Sequence, residues 1–294
     1  MRVYFRITLC CMLISLFLVA CSGGERELVK VSWSPQELKQ GEVLFVTVRP
    51  EAEITSVAGD LDGTPIYFYK QNEGGLAGIV GVDLATAPGQ HYLRMEVKDP
   101  KGESFEQVFQ IMVREGGFEV QRLTLSEKMV TLEGEILERY LAEHRKTKEI
   151  FNQVRLERLW HQPFICPVDG PITSSFGLRR ILNDKPRSPH SGVDIGAPMG
   201  TNVGACNDGI VVLAQELYLE GKTIIIDHGF GLYSIYMHLS EMQVNEGQRV
   251  RAGAVIGLIG ATGRVTGPHL HWGIKLLGAR VDPFSLVKAV APRE

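Results

Sequence analysis

The stretch His269-Leu270-His271-Trp272-Gly273-Ile274 decides how the C-terminal part of this 294-residue chain folds. Residues two apart on a β-strand lie on the same face of the sheet. The alternation therefore predicts that the apolar members of this stretch point into a core, while His269 and His271 point together to the opposite face. We expect a half-buried strand that presents two imidazoles.

A second region predicts a β-hairpin. Residues 222–227 and 232–239 are two strand-like runs, joined by the turn sequence His228-Gly229-Phe230-Gly231. Alternation along the second run predicts that His238 lies on the same face as Tyr236, which makes Tyr236 a candidate substrate contact. His228 opens the turn and is predicted to shape it.

An earlier run, His190-Ser191-Gly192-Val193-Asp194, adds a third imidazole and a carboxylate. With the pair at 269 and 271, these side chains offer two or more nitrogens and one oxygen to a divalent cation. Such a donor set suits zinc, and three protein ligands with one open position are typical of a catalytic zinc site.

The first twenty residues predict an export signal, because a short basic start is followed by an apolar run that is too short to span a bilayer. The junction Leu18-Val19-Ala20-Cys21-Ser22 resembles the lipobox of bacterial lipoproteins, which implies cleavage before Cys21 and acylation of that residue. Stable anchoring needs more than one acyl chain. A plain secretory signal is the alternative. In a Gram-negative cell, Ser22 favours the outer membrane, facing the periplasm.

Composition favours a soluble exported protein. Removal of Arg2 and Arg6 moves the formal charge from -3 to -5, which is too mild to indicate nucleic-acid binding. After cleavage and acylation of Cys21, two cysteines remain, Cys166 and Cys206. In an oxidising envelope they either pair or stay as buried thiols.

We predict a mainly β fold with two domains. Residues 28–115 read as short strands with turn punctuation, which favours an immunoglobulin-like β-sandwich after a tether at 21–27. Residues 116–162 form a linker whose spacing of apolar residues predicts one long helix over 135–160. Residues 163–290 form a Gly-rich antiparallel β domain.

The C-terminal motifs resemble those of the lysostaphin and LytM-type zinc metallopeptidases. The resemblance covers about residues 163–285 and includes His190-x-x-x-Asp194, Met237-His238-Leu239 and His269-Leu270-His271. It implies that His190, Asp194 and His271 bind one zinc ion, while His238 and His269 act on the substrate. It also implies that peptidoglycan is the substrate, with proteins of cell division or wall remodelling as further candidate partners.

The chemistry follows from that ligand set. Zinc with three protein ligands lowers the pKa of its bound water to about 7 and polarises a carbonyl. The chain has no His-Glu-x-x-His motif, so we expect His238 and His269 to share the proton transfer and to stabilise the oxyanion.

Two other functions are compatible with parts of the sequence. A catalytically silent relative that activates a cell-wall amidase is the main alternative, although such relatives lose metal ligands and this chain keeps all five key positions. A lipoyl-carrier-like fold over residues 244–260 is compatible with the Val and Gly spacing. It needs a lysine at an exposed hairpin tip, and neither the lysines between 185 and 222 nor Lys275 has that setting.

Overall fold

A computed structural model describes residues 28–71, 74–123, 133–182, 185–186 and 188–291. The predicted signal segment, Cys21 and the tether lie outside the described residues. Within those ranges, neither helix combines the length and the apolar character that crossing a lipid bilayer requires.

In the part of the chain that the structure describes, ten strands precede the first helix. They are β1 (Val29–Ser34), β2 (Leu38–Lys39), β3 (Val43–Pro50), β4 (Ser56–Leu61), β5 (Thr64–Pro65), β6 (Tyr69–Lys70), β7 (Leu76–Gly81), β8 (Gly89–Lys98), β9 (Ser104–Arg114) and β10 (Val120–Leu123).

Nine of these strands form two facing sheets. One has the order β1-β3-β7-β6 and the other β2-β9-β8-β4-β5. Between them lies an apolar cluster to which both sheets contribute, with Leu44 and Val46 from β3 and Leu93 and Met95 from β8. The short strands predicted for residues 28–115 are confirmed. The immunoglobulin-like arrangement of these strands stays a prediction.

The remaining elements belong to the C-terminal part. They are α1 (Gly134–Phe151), β11 (Ile172–Ser174), β12 (Arg179–Leu182), β13 (Lys185–Pro186), β14 (Gly192–Ile195), β15 (Asn202–Gly204), β16 (Gly209–Leu217), β17 (Gly221–Gly229), β18 (Leu232–Leu239), β19 (Glu241–Met242), β20 (Arg249–Val250), β21 (Val255–Leu258), β22 (Leu270–Leu276), β23 (Ala279–Val281) and α2 (Pro283–Ala289).

One eight-stranded sheet carries the predicted site. Its order is β11-β14-β22-β18-β17-β16-β20, and β23 pairs with β22. The predicted hairpin is confirmed, because β17 and β18 pair antiparallel. As the alternation predicted, Leu270, Trp272 and Ile274 are fully buried in the core behind β22.

The N-terminal and C-terminal parts share one apolar core. Strand β3 is buried on both faces: Leu44 and Val46 face the cluster between the N-terminal sheets, while Val43 and Phe45 join the core of the C-terminal sheet. A continuous apolar run is the expected pattern for a strand with both faces covered. The first sheet is therefore the middle layer of the molecule.

An ion pair also joins the N-terminal and C-terminal parts. Arg280 of β23 donates from its side chain to both carboxylate oxygens of Asp83, at 2.6 and 2.9 Å. Burial raises the pKa of Asp83, but its hydrogen bonds with Arg280 outweigh this and hold the pKa below its ordinary value. The two parts are therefore joined by polar and apolar contacts.

We expect Phe45→Ala to lower the free energy of unfolding by about 3–5 kcal/mol, the range for removing a buried Phe side chain. Phe45 is 6% exposed at the shared core. Urea denaturation of the full chain measures the change. Val108→Ala is the control, since Val108 is 51% exposed on β9, and a loss below about 1 kcal/mol for Phe45→Ala would contradict the shared core.

The long helix is shorter than predicted. The expected helix over 135–160 ends at Phe151, and the chain beyond it is irregular. The carbonyl of Arg155 accepts from Phe230 N at 2.7 Å, and Leu159 N donates to the carbonyl of His228 at 2.9 Å. Because the turn between β17 and β18 uses these backbone groups, they are not available for helical hydrogen bonds.

The C-terminal domain contains a short helix that the sequence analysis did not predict. The all-β prediction for the C-terminal domain missed α2, which begins at Pro283 after the N-cap Asp282. An N-cap residue and a proline in the first helical turn are the usual start signal of a helix, and both are present in the sequence.

Cys166 and Cys206 are both free, so the structure contains no disulfide between them.

Candidate metal centre

Two paired strands bring the predicted ligands together. Asp194 of β14 lies directly opposite His271 of β22, and His190 lies two residues before β14. Asp194 Oδ1 lies 3.0 Å from His190 Nε2 and 2.9 Å from His271 Nδ1, and these two nitrogens are 2.9 Å apart. Three side chains from distant parts of the chain thus meet at one point, where they could hold a metal ion.

The hydrogen bonds around His190 show which nitrogen is basic. Its Nδ1 lies 2.9 Å from the carbonyl of Ser175, which can only accept, so Nδ1 carries the proton. In the neutral ring Nε2 then presents its lone pair to Asp194 and His271. Three electron-rich atoms this close repel one another unless a positive charge lies between them, and this donor set fits zinc.

Distances support the same fit. Ligands about 2.0–2.1 Å from a tetrahedral zinc ion lie about 3.3 Å from one another. The three atoms here are 2.9–3.0 Å apart, so a shift of a few tenths of an ångström in each accommodates an ion. No large rearrangement of the strands is required.

Burial and charge act on the pKa values of these groups in opposite directions. Burial raises the pKa of Asp194, but the adjacent His190 and His271, which donate hydrogen bonds to it when their facing nitrogens are protonated, outweigh it and lower the net pKa well below its ordinary value. Burial lowers the pKa of His271, which favours its neutral form. The carboxylate therefore stays ionised and needs positive charge beside it, which a metal ion can supply in place of protons.

Two more histidines line the same site. His269 Nε2 lies 3.8 Å from Asp194 Oδ1, and the rings of His238 and His269 are 4.9 Å apart between centroids. The Nδ1 of His269 donates to the carbonyl of Gly267 at 2.9 Å, and that of His238 donates to the carbonyl of Thr262 at 3.0 Å. In the neutral rings, each Nε2 is therefore the basic nitrogen.

His238 reaches this site by breaking strand alternation. The prediction that it shares a face with Tyr236 is wrong. Tyr236 is fully buried, and its hydroxyl accepts hydrogen bonds from Cys206 N and Ser234 Oγ. His238 has a φ of 67°, a left-handed backbone that a regular strand does not contain. That bend places the centroid of its ring 6.2 Å from the centroid of the His271 ring. Tyr236, in contrast, is fully buried and cannot contact substrate.

Burial also determines the charge of His238. Burial, together with the nearby His271 and His269, lowers the pKa of His238 to about 4. His228, by contrast, is fully buried away from the cluster, where it bonds the carbonyl of Asp208 and Ser234 Oγ. This placement agrees with the turn-shaping role predicted for it.

Sequence reasoning missed Gly192 as a functional position. A Cβ at Gly192 would lie 2.4 Å from the carbonyl oxygen of Trp272, 2.7 Å from His271 Nε2 and 2.9 Å from its Cε1. Because real Cβ atoms do not approach that closely, any side chain at 192 displaces the backbone of β22 as well as the His271 ring. The sequence does show a small residue between His190 and Asp194. That this residue must be small for the His271 ring to fit depends on the pairing of β14 with β22.

We expect Gly192→Ala to weaken zinc binding about 10- to 100-fold, as disturbance of groups behind metal ligands typically does. Metal analysis after dialysis against a graded chelator measures this. Gly204→Ala is the matched control, because a Cβ there meets no atom closer than 3.4 Å. Unchanged zinc affinity in the Gly192 variant would contradict a steric role.

Comparison with known proteins agrees with this geometry. The family model for peptidase family M23 matches residues 188–283, which contain all five of the predicted residues. Residues 188–283 are an M23 peptidase domain.

Two curated relatives match the M23 domain. The peptidoglycan DD-endopeptidase ShyA of Vibrio cholerae is 41% identical over 129 residues, which are 43% of this chain and 29% of ShyA. The DD-carboxypeptidase/endopeptidase Mpg of Neisseria meningitidis is 40% identical over 115 residues, 39% of this chain and 26% of Mpg. The chain thus spans less than a third of the length of these relatives.

One solved structure resembles both the M23 domain and the N-terminal part. It is a protein of Pseudomonas aeruginosa described as a peptidase M23, with 29% sequence identity and a TM-score of 0.63. The match covers 85% of this chain and 94% of that one. The mainly β architecture is therefore shared beyond the M23 domain.

Proposed function

We propose that this protein is a zinc-dependent endopeptidase that hydrolyses peptide cross-links or stem peptides of bacterial peptidoglycan. The observation that carries the proposal is the convergence of His190 Nε2, Asp194 Oδ1 and His271 Nδ1 within 3.0 Å of one another. The printed names of ShyA and Mpg support peptidoglycan as the substrate.

We assign the ligand role to His190, Asp194 and His271, and proton transfer to His238 and His269. These ligands would hold a zinc ion, which when bound would supply an acidified water and polarise the carbonyl of the scissile bond. His238 and His269 each have Nδ1 bonded to a backbone carbonyl, which fixes the ring and leaves Nε2 basic. Either Nε2 can accept the proton of the attacking water, and the ring that has accepted it can then donate its Nε2–H to the developing oxyanion.

The alternative, a catalytically silent activator of a cell-wall amidase, has less support. An activator needs neither a metal nor basic nitrogens beside it. Here all three ligand atoms and both additional imidazoles are held by backbone pairing or by hydrogen bonds to carbonyls. Such orientation of groups around a cation is what catalysis requires.

Digestion of defined muropeptides by the zinc-loaded full chain tests the proposal. The products are identified by mass, and cleavage of a peptide bond that stops with a chelator and returns with zinc is the expected result. Intact substrate at every enzyme concentration, combined with stimulated hydrolysis by an added amidase, would instead establish the activator function.

We also propose that the protein works in the cell envelope, anchored by lipid at Cys21. The support is the lipobox-like junction alone, which lies outside the described residues. Metabolic labelling with a fatty acid tests it: the wild-type protein should incorporate label and Cys21→Ser should not. Equal labelling of both would refute anchoring at this residue.

A further inference from the structure

The loop between β21 and β22 holds His238 in place through one residue, Thr262. The Thr262 hydroxyl accepts from Lys222 N of β17 at 2.9 Å and donates to the carbonyl of Leu239 of β18 at 2.8 Å. The Thr262 carbonyl accepts from His238 Nδ1 at 3.0 Å. The side chain of Thr262 therefore ties the loop to both strands of the hairpin, and its backbone holds the ring of His238.

These contacts lie where the pairing of β17 with β18 is irregular. The register shifts between Lys222 and Ile224, so that Met237 and His238 of β18 lie opposite the single residue Thr223 of β17. Such a β-bulge redirects side chains and is frequent next to active sites. The bulge is the reason that His238 leaves the alternation of its strand.

The backbone of His238 needs support from its neighbours. A non-glycine residue with a φ of 67° is strained, and it keeps that conformation only where the surrounding structure fixes it. Two hydrogen bonds of His238 oppose the strain: its N donates to the carbonyl of Glu220 at 3.0 Å, and its Nδ1 donates to the carbonyl of Thr262. Since the hydroxyl of Thr262 holds that carbonyl in place, the orientation of the ring depends on the hydroxyl.

A glycine allows Thr262 to come this close to β17. Gly221 has a φ of 66°, and a Cβ there would lie 2.4 Å from both the Oγ1 and the carbonyl carbon of Thr262. Real Cβ atoms do not approach that closely, so a side chain at 221 displaces Thr262. Hydrogen bonds and close packing thus both determine where Thr262 lies.

We propose that Thr262 is a positioning residue whose hydroxyl fixes the imidazole of His238 for catalysis. This inference rests on the proposed function, because proton transfer is assigned to His238 there. Among the described residues, the hydrogen bonds of Thr262 go to backbone groups and to His238, and none goes to a predicted zinc ligand. Loss of the hydroxyl should therefore slow the chemical step and leave the metal in place.

Thr262→Val tests this role, because valine keeps the shape of the side chain and removes the hydroxyl. In the zinc-loaded full chain acting on a defined muropeptide, we expect kcat to fall about 10- to 100-fold with little change in KM, the cost of misplacing a catalytic group by about 1 Å. Thr262→Ser keeps the hydroxyl and should restore kcat. Thr201→Val is the matched control, since the Thr201 hydroxyl donates to the carbonyl of Pro198 in the same domain, and its loss should leave kcat unchanged.

A double-mutant cycle separates positioning from a general structural role. If Thr262 acts through His238, adding Thr262→Val to His238→Ala should change the remaining hydrolysis little, because the group that Thr262 positions is already gone. Full multiplication of the two losses overturns the proposal, and so does an unchanged kcat in Thr262→Val. Zinc content and urea denaturation of each variant establish that metal and fold are retained.

Gly221→Ala is a second variant, and it keeps the hydroxyl. Its Cβ displaces Thr262 and should lower kcat as Thr262→Val does. Gly278→Ala is its control, because Gly278 also has a positive φ, 85°, but a Cβ there meets nothing within 4 Å. Equal kcat values for the two glycine variants would contradict a requirement for the position of Thr262.

Proton NMR of the zinc-loaded full chain separates this inference from the proposed function. The Nδ1 proton of His238 is assigned by its absence from the His238→Ala spectrum. We expect it in the wild type and in Thr262→Ser, and we expect exchange with water to remove it in Thr262→Val. That pattern in a chain that cleaves no muropeptide would uphold the positioning contact and refute the endopeptidase. Cleavage by a chain whose Nδ1 proton and kcat are the same in Thr262→Val would uphold the endopeptidase and overturn the positioning role.

Discussion

His271→Ala is expected to lose bound zinc and peptidoglycan hydrolysis together. The residue is 7% exposed, and its Nδ1 lies 2.9 Å from both Asp194 Oδ1 and His190 Nε2. Loss of one of three ligands removes most of the affinity for the metal. His190→Ala and Asp194→Ala are expected to give the same result.

Metal analysis of the purified variants, together with turbidity loss of cell walls, measures both effects. His144→Ala on the exposed face of α1 is the matched control and should keep both zinc and activity. A His271→Ala protein that retains one zinc ion per chain after dialysis would refute its role as a ligand.

His269→Ala and His238→Ala are expected to keep zinc but to lower hydrolysis about 10²- to 10⁴-fold, the usual range for general acid–base catalysis. Neither ring is one of the three side chains whose donor atoms converge. Each Nε2 is basic and borders the site, so its removal takes away a proton acceptor without opening the metal centre.

The two variants should be measured on purified peptidoglycan at saturating zinc, so that any weakening of the metal site does not imitate a catalytic defect. Zinc content equal to that of the wild type is the internal control. Near-normal hydrolysis by His269→Ala would end the assignment of that residue to proton transfer.

Much of the site was predictable because two of its three predicted ligands, Asp194 and His271, lie on regular strands. Alternation along residues 269–274 correctly separated the buried apolar residues from His271, and the hairpin of β17 and β18 formed where the turn sequence indicated. Strand period and turn chemistry are local properties, so a single sequence carries them.

The errors arose where tertiary contacts override local patterns. His238 has a left-handed backbone, which no alternation rule anticipates, and Tyr236 was therefore placed on the wrong face. The helix ends at Phe151 because backbone groups of the residues that follow it form hydrogen bonds with the turn at 228–230. The burial of β3 on both faces depends on a partner layer more than a hundred residues away in sequence.

Gly192 illustrates the same limit on the functional side. Its residue type was visible between His190 and Asp194, but its effect on the His271 ring needs the register of β14 against β22.

Anomalous diffraction at the zinc edge from crystals of the full chain tests the central claim most directly. The account predicts one strong peak within bonding distance of His190 Nε2, Asp194 Oδ1 and His271 Nδ1, with His238 and His269 beside it but not bonded. A peak bound by other residues, or none in zinc-loaded and enzymatically active crystals, would contradict it.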